Sequence, residues 1–510
     1  MNMPDPGFML QILEFMATLF VIAVGLTVAA VIVMYVRDVT QTRQAIRRNY
    51  PVIGRFRYVF ETLGGFFRQY FFAMDREEMP FNRAERSWVY RAAKGLDTTS
   101  AFGSTRNLSP PGTVLFVNCP FPTLDTDAAE VAAVTIGMGC REPYTARSLF
   151  NISGMSFGAI SRPAVEALSA GAARSGCWMN TGEGGLSPWH LKDGADLVFQ
   201  IGTAKYGVRD EQGNLSDDRL RAVAAHPQVR MFEIKLSQGA KPGKGGILPG
   251  AKVTEEIAAI RRIPAGRDSI SPNRHPDINS VGDLLDMVDR VREVTGKPVG
   301  FKAVIGAYGW LDDLFAEINR RGEQSAPDFI AIDSADGGTG AAPMSLMDYM
   351  GLPIRESLPL VADKLQAHNL KGRIRLIASG KLINPAEVAW ALCAGADFVT
   401  SARGFMFALG CIQALHCNKN TCPTGITTHN PRLQKGLNPA LKAERVANYV
   451  RNMVYEVGVI AHSCGVREPR QLRRFHARIV AEGGRSLSLE DIYAPPVTQY
   501  SATGKASLPN

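Results

Sequence analysis

The stretch IRLIASGKLINPAEVAWALCAGADFVTSARG, Ile374–Gly404, decides the fold. Two short apolar runs, Ile374–Ala378 and Asp397–Ser401, flank one helical stretch. Strand, helix, strand is the pattern of a parallel pair joined by a crossover. Each run leads directly into small residues with one basic side chain: Ser379-Gly380-Lys381 after the first and Ala402-Arg403-Gly404 after the second. Small residues let backbone N–H groups approach phosphate oxygens, and the basic side chains supply charge.

Working upstream, the same alternation recurs. Further candidate strands are Leu149–Ser153, Cys177–Asn180, Leu197–Ile201, Met231–Lys235, Pro298–Val304 and Asp328–Asp333. Eight strand–helix units imply a (β/α)8 barrel, an α/β fold of the TIM type. In that fold the site gathers at the C-terminal strand ends, and phosphate binds after strands 7 and 8, where the two clusters lie. A doubly wound open sheet is the alternative. No GxGxxG follows the first strand to support it. Lys235 and Lys302 end strands 4 and 5, so both are expected to point into the mouth. Beside a flavin ring, such a lysine would stabilise the anionic reduced form.

Downstream, Cys411-Ile-Gln-Ala-Leu-His-Cys417-Asn-Lys-Asn-Thr-Cys422-Pro423 sets three cysteines at C-x5-C-x4-C. That spacing suits thiolate ligation of an iron–sulfur cluster, and three ligands suit a three-iron one. Zinc, with His416 or His429 as fourth ligand, is the rival. Eight cysteines in 510 residues are too few for a disulfide scaffold. Either metal favours a reducing compartment.

Upstream of the barrel, Phe15–Val36 holds 22 positions without charge. At about 1.5 Å per residue it crosses a hydrocarbon core of about 30 Å. A signal peptide would show a basic n-region, but MNMPDPG has no Lys or Arg. Residues 37–106 carry 13 Lys and Arg against 7 Asp and Glu, most of the chain's net charge of +9. Arg37, Arg43, Arg47, Arg48, Arg55 and Arg57 follow the span directly, which sets a single-pass orientation with the catalytic body in the cytoplasm. The charge reads as attraction to membrane lipid, since no nucleic-acid motif accompanies it. FETLGGFFRQYFFAM, Phe60–Met74, reads either as a segment on the membrane surface or as an arm packing on the body. The expected organisation is an anchor at 1–40, a basic and aromatic lead-in at 41–144, the barrel with its cysteine loop at 145–470, and a tail at 471–510.

Five motifs stand in order along the barrel: GMSFGAIS (Gly154–Ser161), NTGEGG (Asn180–Gly185), IKLSQGAKPGKGGILPG (Ile234–Gly250), DSADGGTGAAP (Asp333–Pro343) and GCIQALHCNKNTCPTGI (Gly410–Ile426). Together they resemble the FMN-binding synthase domain of glutamate synthase, over about residues 145–465. REEMPFNRAERSWVYR, Arg76–Arg91, behind an anchor resembles a short, single-chain branch of that family.

The resemblance implies FMN and a [3Fe-4S] cluster. Cys411, Cys417 and Cys422 would hold the cluster. Gly380, Lys381 and Gly404 would cradle the FMN phosphate, with Ser156, Gln238, Lys302, Gly337 and Gly338 also bordering the flavin. Lys235, Glu183 and Lys302 would be catalytic, the first two near the 2-oxoglutarate site. The reaction implied is reductive amination of 2-oxoglutarate to glutamate.

Complete family members begin with a glutaminase domain bearing a cysteine nucleophile. No cysteine precedes Cys119 here, and neither the β-helical domain nor an NADPH fingerprint is visible. Ammonia and electrons are therefore expected from separate glutaminase and electron-donor proteins. Leu186 stands where the family continues NTGEGG with a glutamate. An oxidoreductase acting on another amine, or a membrane scaffold without activity, are the alternatives.

Overall fold

The uncharged run becomes one helix, Pro6–Thr40, in the computed structural model, which describes residues 6–494. The chain divides into two compact units, 1–84 and 85–510. In the first, residues 7–40 form a helix long and apolar enough to cross a membrane, with its apolar side chains exposed. At its last turn Asp38 is buried and receives a bidentate pair from Arg55, at 2.8 and 2.7 Å. The Val52 N–H donates to the same carboxylate at 3.0 Å. These bonds tie the helix end to the start of a second helix, Gly54–Phe67, across the short helix Ala45–Asn49. A Cβ at Gly54 would stand 2.8 Å from the Ile46 carbonyl oxygen, so the approach needs glycine.

The second unit is built on a closed barrel of eight parallel strands. They are β1 (Phe150–Ile152), β2 (Met179–Asn180), β3 (Leu197–Ile201), β4 (Val229–Lys235), β5 (Val299–Ala303), β6 (Phe329–Asp333), β7 (Arg375–Ser379) and β8 (Phe398–Ser401). Pairing of β8 with β1, Val399 opposite Phe150, completes the ring. This is the expected barrel, and every expected strand coincides with an observed one. The largest difference is β2, reduced to two residues because the Trp178 N–H turns to the Asn151 side chain at 3.0 Å. β4 starts earlier than expected, and β7 runs on to Ser379.

The helices end where local chemistry says they should. Asn384 caps helix Pro385–Ala394 by accepting from the Glu387 N–H at 3.1 Å, and Gly395 closes it at φ +112°. Helix Pro439–Ser463 lies against helix Arg162–Ser175, where a Cβ at Gly171 would meet Val446 at 2.4 Å.

At the N-terminal end of the barrel an antiparallel hairpin, Val134–Ile136 with Tyr144–Ala146, packs Ile136, Tyr144 and Ala146 against Trp178, Phe329 and Phe398. Residues 477–488 form two strands that join Val114–Phe116 in a separate antiparallel sheet. The last part of the expected tail, 495–510, lies outside the described residues.

Candidate active site

The barrel axis carries a polar layer just below its C-terminal mouth. The Asn180 and Gln200 side-chain amides both donate to one Glu233 oxygen, at 2.9 and 2.6 Å. Lys302 stands beside them, paired with Asp333 at 3.1 Å, and all of these groups are buried. Burial works against charge on Lys302, but Asp333, Glu233 and Glu183 outweigh it and raise its pKa. Burial likewise opposes ionisation of Asp333, but Lys302, the Gly239 N–H at 2.9 Å and Ser379 hold it ionised. Lys302 and Asp333 are therefore held as a charged pair.

Above the layer lies a second cluster. Glu183, on the loop after β2, pairs with Lys235 at 2.7 Å. Lys235 also donates to the Gln238 side chain, whose amide donates to Thr339 at 2.9 Å. The Glu183 carboxylate fits between Gly202 and Gly246, where an added Cβ would come within 2.6 and 2.5 Å of it. Burial alone would raise the Glu183 pKa, yet Lys235, Lys241 and Arg261 hold it below the usual carboxylate range. Lys241 is pushed down to about 8 by burial and by Lys235. Three cations thus surround one carboxylate, leaving the mouth positive. Arg261 also donates to the Ser156 hydroxyl at 3.4 Å and the Phe157 carbonyl at 3.3 Å. The backbone of Ser156 is approached so closely by Gly182 that a Cβ there would stand 2.4 Å from its nitrogen.

The loops after β6, β7 and β8 converge on Asp336. Lys381 pairs with its carboxylate at 2.9 Å, and Arg403 donates to its carbonyl at 3.0 Å. Gly380 holds φ +110° and Lys381 φ +56°. A Cβ at Gly380 would press on Ser334 at 2.4 Å, one at Gly338 on Arg403 at 2.9 Å, and one at Gly337 on the Ser334 carbonyl oxygen at 2.8 Å. Both basic side chains expected beside a phosphate are thus brought together. Gly404 differs in the reason for its glycine. A Cβ there would lie 2.3 Å from the Tyr449 hydroxyl and 2.8 Å from Ser401 Oγ, so helix packing excludes a side chain.

Cys411, Cys417 and Cys422 follow β8 on a loop in which Gln413, Leu415 and Asn420 all adopt positive φ, between 56° and 59°. The thiols lie within electrostatic range of one another. Burial pushes Cys411 up to about 12. At Cys422 burial is outweighed by the Thr424 and Thr427 hydroxyls, which hold the thiol below its ordinary value. The buried Lys252 ammonium donates to the Ala159 carbonyl at 2.7 Å and the Cys417 carbonyl at 3.3 Å, and faces both Cys417 and Cys422. Among the described residues no three His, Cys, Asp or Glu side chains converge on one ion. His429 Nε2 is engaged with the Gly158 carbonyl at 2.8 Å. Three cysteine thiols on one loop are the donor set expected there from the sequence.

Asn180, Gln200, Glu233, Lys241, Arg261 and Asp333 were not singled out in the sequence as site residues. Asn180, Lys241 and Asp333 lie inside the quoted motifs; Gln200, Glu233 and Arg261 carry no local signal.

The chain matches the conserved region in glutamate synthase over residues 116–467. The glutamate synthase large subunit-like protein YerD of Bacillus subtilis is 38% identical over 498 residues, covering 90% of this chain and 94% of that protein. An archaeal-type glutamate synthase (NADPH) of Thermotoga neapolitana is 38% identical over 322 residues, 62% of this chain and 60% of that enzyme. A glutamate synthase large subunit-like protein of Rhizobium meliloti is 31% identical over 398 residues, 73% and 85% of the two chains. The chain accordingly belongs to the glutamate synthase family and is a glutamate synthase-like oxidoreductase.

Proposed function

We propose that the chain catalyses reductive amination of 2-oxoglutarate to glutamate at the barrel mouth, with FMN and a [3Fe-4S] cluster as its cofactors. The observation that carries this reading is the excess of buried cations, Lys235, Lys241 and Arg261, around the single carboxylate of Glu183. Such a site suits a dicarboxylate, whose charge replaces what Glu183 leaves unmatched. FMN, when bound, supplies hydride chemistry; the cluster supplies single-electron chemistry.

The chain's own residues do the rest. Lys235 and Lys241 bind carboxylate by charge-assisted hydrogen bonds. Glu183, held ionised, accepts a hydrogen bond from the ammonia-derived nitrogen. Lys302, held charged by Asp333, fixes a positive charge on the floor of the site. Gly380, Lys381 and Arg403 suit the flavin phosphate, with Gly404 beside them. Gln238, Ser156, Gly337 and Gly338 border the same space. Cys411, Cys417 and Cys422 would hold the cluster. Helix Pro6–Thr40 anchors the chain in a membrane with its body in the cytoplasm, and separate proteins supply ammonia and electrons.

Leu186 in place of a carboxylate after NTGEGG favours a second reading, oxidation of another amine. One experiment separates them. Anaerobic protein with bound flavin is offered a panel of amino acids, and the reduced protein is then offered 2-oxoglutarate with ammonia. Reduction by glutamate and reoxidation by that pair support the proposal. Reduction by a different amine alone, or purification without flavin, overturns it.

A further inference from the structure

Helix Gly54–Phe67 has a one-sided composition that the catalytic reading does not use. At about 100° per residue, Phe56, Val59, Phe60, Leu63 and Phe67 fall within an arc of about 100°. Arg57, Glu61 and Thr62 lie on the remainder. All five apolar side chains are exposed, from 39% at Phe67 to 65% at Phe60. The π-helical turn Arg68–Phe72 adds Phe71 and Phe72, also exposed. Fully burying a residue of this size is worth about 1.5–3 kcal/mol, so a continuous row left in water is a marked cost.

The first unit itself indicates what covers this row. The aromatic helix starts where the candidate membrane span ends, and the joint is fixed. Asp38, in the last turn of helix Pro6–Thr40, is only 1% exposed and holds Arg55 bidentately, with Val52 N–H on the same carboxylate. An exposed apolar row held at the end of a span lies at headgroup depth. Residues 37–57 carry six arginines against one acidic residue, Asp38. Arg37, Arg43 and Arg48 are exposed, ready for anionic headgroups, while Arg57 pairs with Glu61 at 3.2 Å.

We propose that Gly54–Phe72 is an interfacial element. It lies along the surface of an anionic bilayer with Phe56, Val59, Phe60, Leu63 and Phe67 among the acyl chains, and the Asp38–Arg55 pair is the joint that holds it there. The proposal rests on reading Pro6–Thr40 as a span, and it adds a second, lateral attachment.

The test uses the full chain reconstituted into vesicles of phosphatidylcholine and phosphatidylglycerol. A carbene-generating probe dissolved in the acyl region labels the protein, and mass spectrometry maps the labelled side chains. Label on two stretches, within 15–36 and on the Phe56–Phe67 face, with Arg57, Glu61 and Thr62 unlabelled, is the expected result. The variant F56S/F60S should lose at least half of the second signal and keep the first. Label confined to 15–36 in the wild-type chain overturns the proposal and leaves the span intact; a crosslink from Phe60 to a second copy of the chain does the same. Label on neither stretch removes the span and, with it, this inference.

Discussion

Gly404→Ala tests why a glycine stands beside the candidate phosphate site. The added methyl would lie 2.3 Å from the Tyr449 hydroxyl, 3.1 Å from its Cζ and 2.8 Å from Ser401 Oγ. Tyr449 cannot retreat. Its ring is wedged edge-on against Phe150 and Phe405, with centroids 5.5 and 5.2 Å away, and its hydroxyl donates to the Ile383 carbonyl at 2.8 Å. Overpacking of this kind costs about 1–3 kcal/mol, against a helix-propensity gain of up to about 1 kcal/mol. The net expectation is a loss of about 1–2 kcal/mol. Tyr449→Phe alone should cost about 1 kcal/mol, the net worth of its hydrogen bond. The double variant is decisive, because removing the hydroxyl removes the closest clash. Gly404→Ala should then cost little in the Tyr449→Phe background, a coupling of about 1 kcal/mol or more. The assay is thermal unfolding of the detergent-solubilised chain with flavin content measured in parallel. Additivity within about 0.5 kcal/mol would refute the packing argument. Flavin lost equally from the single and double variants would show instead that the glycine serves the phosphate.

Four further expectations follow from the same geometry. Cys417→Ser should lower iron and acid-labile sulfide well below the wild-type content while flavin stays bound, because serine oxygen is a harder and far less acidic donor; iron analysis and the flavin spectrum read both. Lys241, pushed down to about 8, is charged below that pH, so KM for a dicarboxylate should rise as pH increases through about 8, and Lys241→Arg should flatten the rise. Because its folded pKa lies below the ordinary 10.5, the same group makes the folded chain less stable as pH falls toward about 8; stability should climb from there to about 10.5, and Lys241→Met should flatten that slope in urea titrations. Lys252→Met leaves the Ala159 and Cys417 carbonyls without their donor and should cost about 1–3 kcal/mol, measured by thermal unfolding.

The barrel was legible because strands covered on both faces read as unbroken apolar runs, and eight such runs at helix-length spacing admit few topologies. β2 was overextended because the Asn151 side chain, 27 positions upstream, captures the Trp178 N–H, a partner that exists only once β1 and β2 are adjacent. The same holds for Glu233, Gln200 and Asn180. Each is one polar residue within a strand, and only closure of the ring brings them together. Lys235 and Lys302 were found by position alone, since strand ends are where this fold puts function, but their carboxylate partners came from elsewhere, Glu183 from the loop after β2 and Asp333 from the end of β6. Gly404 shows the limit most clearly: the side chain that demands its glycine sits 45 residues later on a packed helix.

The hairpin Val134–Ile136 and Tyr144–Ala146 covers the lower end of the barrel. Ile136, Tyr144 and Ala146 sit with Trp178, Phe329 and Phe398 as an apolar stopper at its base. No solute gains the Asn180–Gln200–Glu233 layer from below without displacing that stopper. The opposite end, beside Glu183, Lys235 and the loops after β6 to β8, carries no such stopper among the described residues. Under the proposed function, nitrogen donor, keto acid and product would share that rim, so departure of one would govern admission of the next.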